Sequence, residues 1–318
     1  MTASERPRTV LVTGASSGIG LATAIAFGRA GDHVVLAARD QGALLAAEKQ
    51  CAEAGAASTR VVPTDLGDDQ SVRRCVAEVL DVTGRLDVVV NAAGVVSYGR
   101  TEVVPAEVFE GVLRTNVVGS VNLARHVVPV MRGHQHGTLV LVGSVIGHIG
   151  VPGMSPYVLS KWGVRALARQ LQLENRDRPD LNVVYLAPGG VDTPIYRLAG
   201  NYAGFAGRPP PPVTTPEKVA KRILKAVERP RKRVQVGWAN DVMRLGFTTA
   251  PGLFDLVVGP LFSAAAQDRT APVAPGPGNV LEPTPEHYGL RGHQGNPFLG
   301  VLRNLRPRAR GRTRSVRG

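Results

Sequence analysis

Short runs rich in valine and leucine recur along the chain at residues 9–13, 33–38, 59–63, 86–90, 138–143, 182–187 and 233–237, with helix-like stretches between them. Unbroken apolar runs of this length suit strands buried on both faces. A helix between consecutive strands returns the chain so that neighbouring strands lie parallel. The alternation therefore specifies an α/β fold, a doubly wound parallel sheet of about seven strands with helices on both faces. Helix starts are marked chemically: Asp40 precedes a helix over 41–54, and Thr215 followed by Pro216 precedes one over 217–228. No internal repeat interrupts the pattern.

The chain has 318 residues, and doubly wound domains run to about 250, so an appendage is expected. The alternation stops near Trp238, which gives three regions: a catalytic domain over 1–240, an apolar helical extension over 241–271, and a connector with an arginine-rich tail over 272–318. Residues 245–266 are strongly apolar but interrupted by Pro251, Asp255, Gly259 and Pro260. A bilayer span needs about 20 largely uninterrupted apolar residues, so a surface helix broken at Pro260 fits better than a span. Residues 272–285 hold five prolines and two glycines, a composition that resists regular structure. An extended connector leading to a mobile end is expected there.

Directly after the first apolar run stands Thr13-Gly14-Ala15-Ser16-Ser17-Gly18-Ile19-Gly20. Glycines let such a loop turn tightly and bring its amides close to phosphate, and the helix that follows presents its positive N-terminus to the same charge. A glycine-rich turn alone is weak evidence, because ordinary strand-to-helix turns use glycine too. Its position between the first strand and the first helix favours a dinucleotide site of Rossmann type.

The spacing Gly-x-x-x-Gly-x-Gly departs from the Gly-x-Gly-x-x-Gly fingerprint and resembles the signature of the short-chain dehydrogenase/reductase family. Other motifs follow in the family's order: Asn91-Ala92-Ala93-Gly94 after the fourth strand, Asn116 in the next helix, Ser144 ending the fifth strand, Tyr157-Val158-Leu159-Ser160-Lys161 opening a helix, and Pro188-Gly189-Gly190-Val191-Asp192-Thr193 after the sixth strand. The resemblance spans residues 9–237. It implies that residues 188–193 hold a nicotinamide, with Thr193 near the carboxamide, and that Asp65-Leu66 touches the adenine ring. An aspartate at position 65 equally suits a helix cap.

Cofactor choice is read at the end of the second strand. A carboxylate there would receive the ribose hydroxyls of NAD, but this chain has Ala38 and then Arg39, and a guanidinium pairs with a 2′-phosphate. Ser16 is a further donor to that phosphate by resemblance. NADP(H) is the expected cofactor; the opposite reading has Arg39 in solvent and Asp40 on the ribose.

Hydride transfer to a carbonyl builds charge on oxygen, so a proton donor must stand beside it. Tyr157 suits that role once its pKa, near about 10 unperturbed, is moved by a neighbouring ammonium. Lys161 lies four residues on, about one helical turn away on the same face. Such a pair is common on helix surfaces, and its weight comes from the ordered motif set. By resemblance, Lys161 also binds the nicotinamide ribose, Ser144 hydrogen-bonds the substrate oxygen, and Asn116 fixes a water that relays protons. In isolation Ser144 would be read as a strand-end serine and Asn116 as a helix residue bonded to backbone.

The expected activity is interconversion of a carbonyl and an alcohol on a small lipophilic substrate, because residues 194–212 carry Tyr196, Tyr202 and Phe205 among glycines and read as a mobile, apolar lid. Alternatives are a silent NADP(H)-sensing or scaffold protein and an epimerase or dehydratase. The formal charge is +13, of which seven arginines in 303–317 supply more than half. With residues 245–266 they suggest peripheral contact with an anionic membrane. No nucleic acid is expected, since no aromatic side chain interrupts the arginines.

Cys51 and Cys75 lack Cys-x-x-Cys spacing, and His134 with His136 has no third ligand, so neither disulfides nor a metal are expected. His148 borders the substrate pocket or the surface. The N-terminus shows no secretion signal, and a cytoplasmic homo-oligomer is expected, the oligomer by resemblance.

Overall fold

The computed structural model describes residues 6–293, with 295, 301 and 304. Seven strands form one parallel sheet: β1 (Thr9–Thr13), β2 (His33–Ala38), β3 (Ser58–Pro63), β4 (Val88–Asn91), β5 (Gly137–Val142), β6 (Leu181–Pro188) and β7 (Arg233–Val236). Their order across the sheet is β7-β6-β5-β4-β1-β2-β3. The order reverses between β1 and β4, and in such sheets ligands bind beyond the carboxyl ends at that switch point.

Because side chains alternate along a strand, the sheet builds a core on each face. Leu11, Val89, Leu139 and Leu141 point to one side, against Val72 and Val76 of α3 (Asp69–Thr83), Leu123 and Val127 of α5 (Gly119–Gly133), and Val164 and Leu171 of α6 (Ser155–Glu174). Val10, Val12, Leu36, Val140 and Leu186 point to the other, against Phe27 of α1 (Gly18–Arg29), Leu44 of α2 (Gln41–Ala54) and Ile223 of α7 (Pro216–Glu228). Each such side chain contributes about 1.5–3 kcal/mol when fully buried.

The predicted caps are present: Asp40 accepts from the Ala43 amide at 2.7 Å and Thr215 from the Lys218 amide at 3.4 Å. The fourth strand starts two residues later than its apolar run. Asp87 there accepts from the Thr9 amide at 2.8 Å and from Arg85, tying the strand's entry to β1. Between α4 (Ala106–Leu113) and α5 lies one π-helical turn, Arg114–Val118, with Asn116 inside it.

Beyond β7 the chain forms α8 (Ala239–Thr249) and α9 (Pro251–Ala266). The expected break at Pro260 does not occur, because α9 continues through it; the break falls at Ala250, before Pro251 at the first helical position. A proline inside a helix removes the bond to the carbonyl four residues earlier, here that of Leu256. That residue is 73% exposed, on the side where water can satisfy the carbonyl. Edge-on ring contacts from Trp162 to Phe247 at 6.2 Å and from Phe247 to Phe254 at 5.2 Å hold both helices to α6. Among the described residues no helix is long and apolar enough to cross a membrane.

The stretch read as an extended connector lies against the catalytic body. Val280 is 2% exposed, packed with Val95, Val104, Val108 and Val112, and Asn279 donates its amide to Leu198 at 2.8 Å. Apolar burial at Val280 overrides the proline content, since prolines forbid regular structure but not docking. The seven arginines of the tail lie outside the described residues.

Candidate active site

The loop after β1 turns at Gly14, whose φ of +66° is left-handed; a Cβ there would come within 2.7 Å of the Ala93 amide nitrogen. Glycine thus lets the ends of β1 and β4 meet. Gly20 has a packing role of the same kind, because a Cβ would overlap the Gly14 carbonyl. Thr13 Oγ1 donates to Asn91 Oδ1 at 2.7 Å, and Asn91 Nδ2 donates to Ser120 Oγ at 2.9 Å, which joins β1, β4 and α5 below the loop.

Above it runs a groove with about 920 Å³ of empty space including its open mouth. Thr13, Gly14, Ser16, Ser17, Gly18, Ile19, Arg39, Asp65, Leu66, Ala92, Ala93, Gly94 and Thr193 line it, as expected of the cofactor residues. Gly20, Asn91, Tyr157, Lys161, Pro188, Gly189 and Val191 do not line it. Asn91 is buried, Pro188 and Val191 belong to strand pairs, and Gly189 donates its amide to Val236 at 3.2 Å. Asp65 Oδ1 accepts from the Gly67 amide at 2.8 Å, and the cap of α3 is Asp68.

Arg39 is not in solvent. Its guanidinium donates to the carbonyls of Asn279 at 2.6 Å, Leu281 at 3.3 Å and Val280 at 3.4 Å, and Asn279 and Tyr288 also line the groove. Asp40 is engaged in capping α2.

The four expected catalytic residues come together next to the groove, joined to it through Gly94. Ser144 ends the β5 loop and its hydroxyl hydrogen-bonds Tyr157. Lys161, buried, lies 5.5 Å from the Tyr157 ring centroid and donates to the Val142 carbonyl at 3.1 Å. A Cβ on Gly94 would stand 3.5 Å from Lys161 Nζ and 3.4 Å from Asn116 Oδ1, so glycine keeps this corner open. Asn116 Oδ1 accepts from the Val95 amide, while Nδ2 donates to the Val95 carbonyl and Ser160 Oγ, all at 2.9 Å. Both side-chain donors are engaged by protein, leaving acceptor positions on Oδ1 and on the backbone carbonyl, which accepts one bond from Ser120 Oγ, for a water. The residue fastens the β4 loop to α6.

Burial penalises whichever form carries charge. It raises the Tyr157 pKa well above the ordinary phenol, against the lowering bond from Ser144. It lowers Lys161 to about 8. Around Tyr157 the surface is apolar, made by Tyr98, Met154, Ile195, Tyr196 and Phe262 among others. The lid's Tyr196 packs here, and Tyr202 packs beside the cluster around Val95.

Three contributors escape sequence reasoning. Tyr185 on β6 donates to the Ser144 carbonyl at 3.1 Å and accepts from its amide at 3.4 Å. The flanking Gly143 and Gly147, where a Cβ would overlap the Tyr185 hydroxyl, are the one signal of a bulky group packed there. Phe262 of α9 and Tyr288 of the C-terminal segment carry no local signal. His148, left between pocket and surface, is 3% exposed with its ring 5.6 Å from Tyr185. Burial and nearby arginines lower its pKa to about 4.

A family model described as short chain dehydrogenase matches residues 8–201. The chain belongs to the short-chain dehydrogenase family. It is 31% identical over 271 residues to dehydrogenase/reductase SDR family member 7B of Xenopus laevis, covering 82% of each chain. To 3-ketodihydrosphingosine reductase of Bos taurus it is 32% identical over 223 residues, covering 68% of this chain and 67% of that one. A short-chain dehydrogenase/reductase from Burkholderia phymatum, solved in complex with NAD, superposes with a TM-score of 0.70 at 25% identity, covering 78% of this chain and 95% of that one. This short-chain dehydrogenase is accordingly an oxidoreductase with the family's doubly wound fold.

Proposed function

We propose that this short-chain dehydrogenase is an NADP(H)-dependent enzyme that interconverts a carbonyl and an alcohol on a small lipophilic substrate. The observation that carries the reading is the meeting of Tyr157, Ser144 and Lys161, joined to the glycine-loop groove through Gly94, which lines it and lies next to Lys161 Nζ. The groove fits a dinucleotide: glycines leave backbone where side chains would intrude, and the amide of Ile19, at the start of α1, has no carbonyl one turn earlier in its helix to bond. Bound nicotinamide would supply or accept the hydride.

The chain's own residues handle the proton. In reduction, Ser144 holds the substrate oxygen and Tyr157 gives its hydroxyl proton to that oxygen as the carbon receives hydride. The tyrosinate left behind is opposed by burial, and the Lys161 ammonium beside the ring offsets that penalty until a proton returns. Asn116 holds the β4 loop against α6.

NADP is favoured over NAD because Arg39 borders the groove while Asp40 is held as a helix cap. A guanidinium has five N–H donors, so three carbonyl contacts do not exhaust it. Substrate class follows from the apolar surroundings of Tyr157, and the sphingoid-base reductase among the relatives is in keeping with it.

The test is consumption of NADPH, with NADH in parallel, over lipophilic ketones and aldehydes, for the intact protein and Tyr157→Phe. The variant is expected to lose at least about a hundredfold in kcat, as general-acid groups typically contribute, while still binding NADPH. Equal turnover by the variant would overturn the mechanism, and better use of NADH would overturn the role of Arg39.

A further inference from the structure

The C-terminal segment crosses the cofactor groove and is held on both banks. On one bank Gly276 exchanges backbone hydrogen bonds with Asn201 at 2.8 and 3.1 Å, and Val280 sits in an apolar socket beside Gly111, where a Cβ would come within 2.9 Å of it. On the other, Gly289 accepts from the Gly18 amide at 2.9 Å, Arg291 pairs with Glu217 at 2.8 Å, and the Gly292 amide donates to Asp192 at 3.1 Å. Asn279, within the first anchor, and Tyr288, just before the second, line the same groove as Ser16 and Arg39.

We propose that residues 276–292 form a strap that completes the cofactor site, with Tyr288 as an adenosine-binding wall and the 279–281 carbonyls orienting Arg39 toward the 2′-phosphate. The inference rests on the NADP reading and deepens it.

The exposed Arg291–Glu217 pair contributes little, so the strap's place is set by Val280 and by the backbone bonds at either end. A ring lining the groove gives a planar base an apolar partner that the glycine loop cannot offer. A guanidinium already restrained by three carbonyls loses less side-chain freedom when it meets a phosphate. The Gly289 carbonyl engages the Gly18 amide, and the neighbouring Ile19 amide remains for the pyrophosphate. The strap and the dinucleotide thus use different donors of one helix start and occupy the groove together.

The experiment is calorimetric titration of the full chain with NADPH, 2′,5′-ADP and nicotinamide mononucleotide, for wild type, Tyr288→Ala and Tyr288→Phe. Tyr288→Ala is expected to weaken 2′,5′-ADP at least tenfold, Tyr288→Phe less than threefold, and neither is expected to change the mononucleotide. Hydrogen exchange on the wild type supplies a readout free of mutation: NADPH should increase amide protection over 279–289. Unchanged or tighter 2′,5′-ADP binding by Tyr288→Ala, or loss of protection on adding NADPH, would overturn the strap, tighter binding marking it as a competitor. Wild type that binds NADH, titrated in parallel, but neither of the 2′-phosphorylated ligands NADPH and 2′,5′-ADP would overturn the NADP reading and the strap's role with it.

Discussion

Tyr157 and Lys161 are moved in opposite directions by the same cause. Burial keeps the phenol protonated and brings the ammonium's pKa to about 8. In the direction of reduction the enzyme needs Tyr157 with its proton and Lys161 with its charge. Tyr157 keeps its proton across neutral and moderately alkaline pH, whereas Lys161 is charged below about 8 and neutral above it. The expected kcat/KM for reduction is therefore level on the acid side and falls about tenfold per pH unit above the Lys161 pKa. A rate unchanged up to pH 10, in single-substrate profiles at saturating NADPH, would contradict this assignment. Ser144 depends on a neighbour in the same way: Tyr185 holds both its amide and its carbonyl, which fixes where the hydroxyl stands.

Among the elements, α8 and α9 carry a dense set of apolar side chains that packing does not use up. Trp238, Val242, Leu245, Leu253, Leu256 and Leu261 are all exposed, while Phe247, Phe254 and Phe262 face the body. Exposed Arg229, Arg231, Lys232 and Arg233 precede them in the chain. An apolar face beside basic side chains suits an anionic bilayer surface, and Phe262 places the same helix against the apolar cluster of Tyr157. The expected outcome is flotation with anionic vesicles at low salt, lost in a Leu253→Asp, Leu256→Asp variant that keeps its melting temperature. Wild-type protein that stays unbound under these conditions removes the membrane reading.

For the whole molecule, the sheet's switch point sets the groove, and residues more than two hundred positions from the glycine loop border it: Asn279 and Tyr288. Val118, Leu159 and Trp162, on and beside α6, are also exposed, and apolar side chains of this kind are what self-association buries. Light scattering is expected to report a dimer or tetramer, and Leu159→Glu is expected to shift it toward monomer. A monomeric wild type at micromolar concentration would count against assembly through these side chains.

The sequence by itself determined the sheet and the glycine loop, because each rests on local chemistry: runs of β-branched residues, and glycines between a strand and a helix. The candidate catalytic set came from the family resemblance, since a tyrosine and lysine one turn apart are common on helix surfaces. It could not show that Asp40 is occupied as a cap, that both donors of the Asn116 amide are held by protein, or that Tyr185 grips Ser144. Nor could it foresee that a proline-rich segment lies across the groove. Those outcomes were decided by tertiary structure, since they turn on which distant groups share a space. Val280 found an apolar socket and Arg39 found three carbonyls, and neither partnership leaves a periodic trace in the chain.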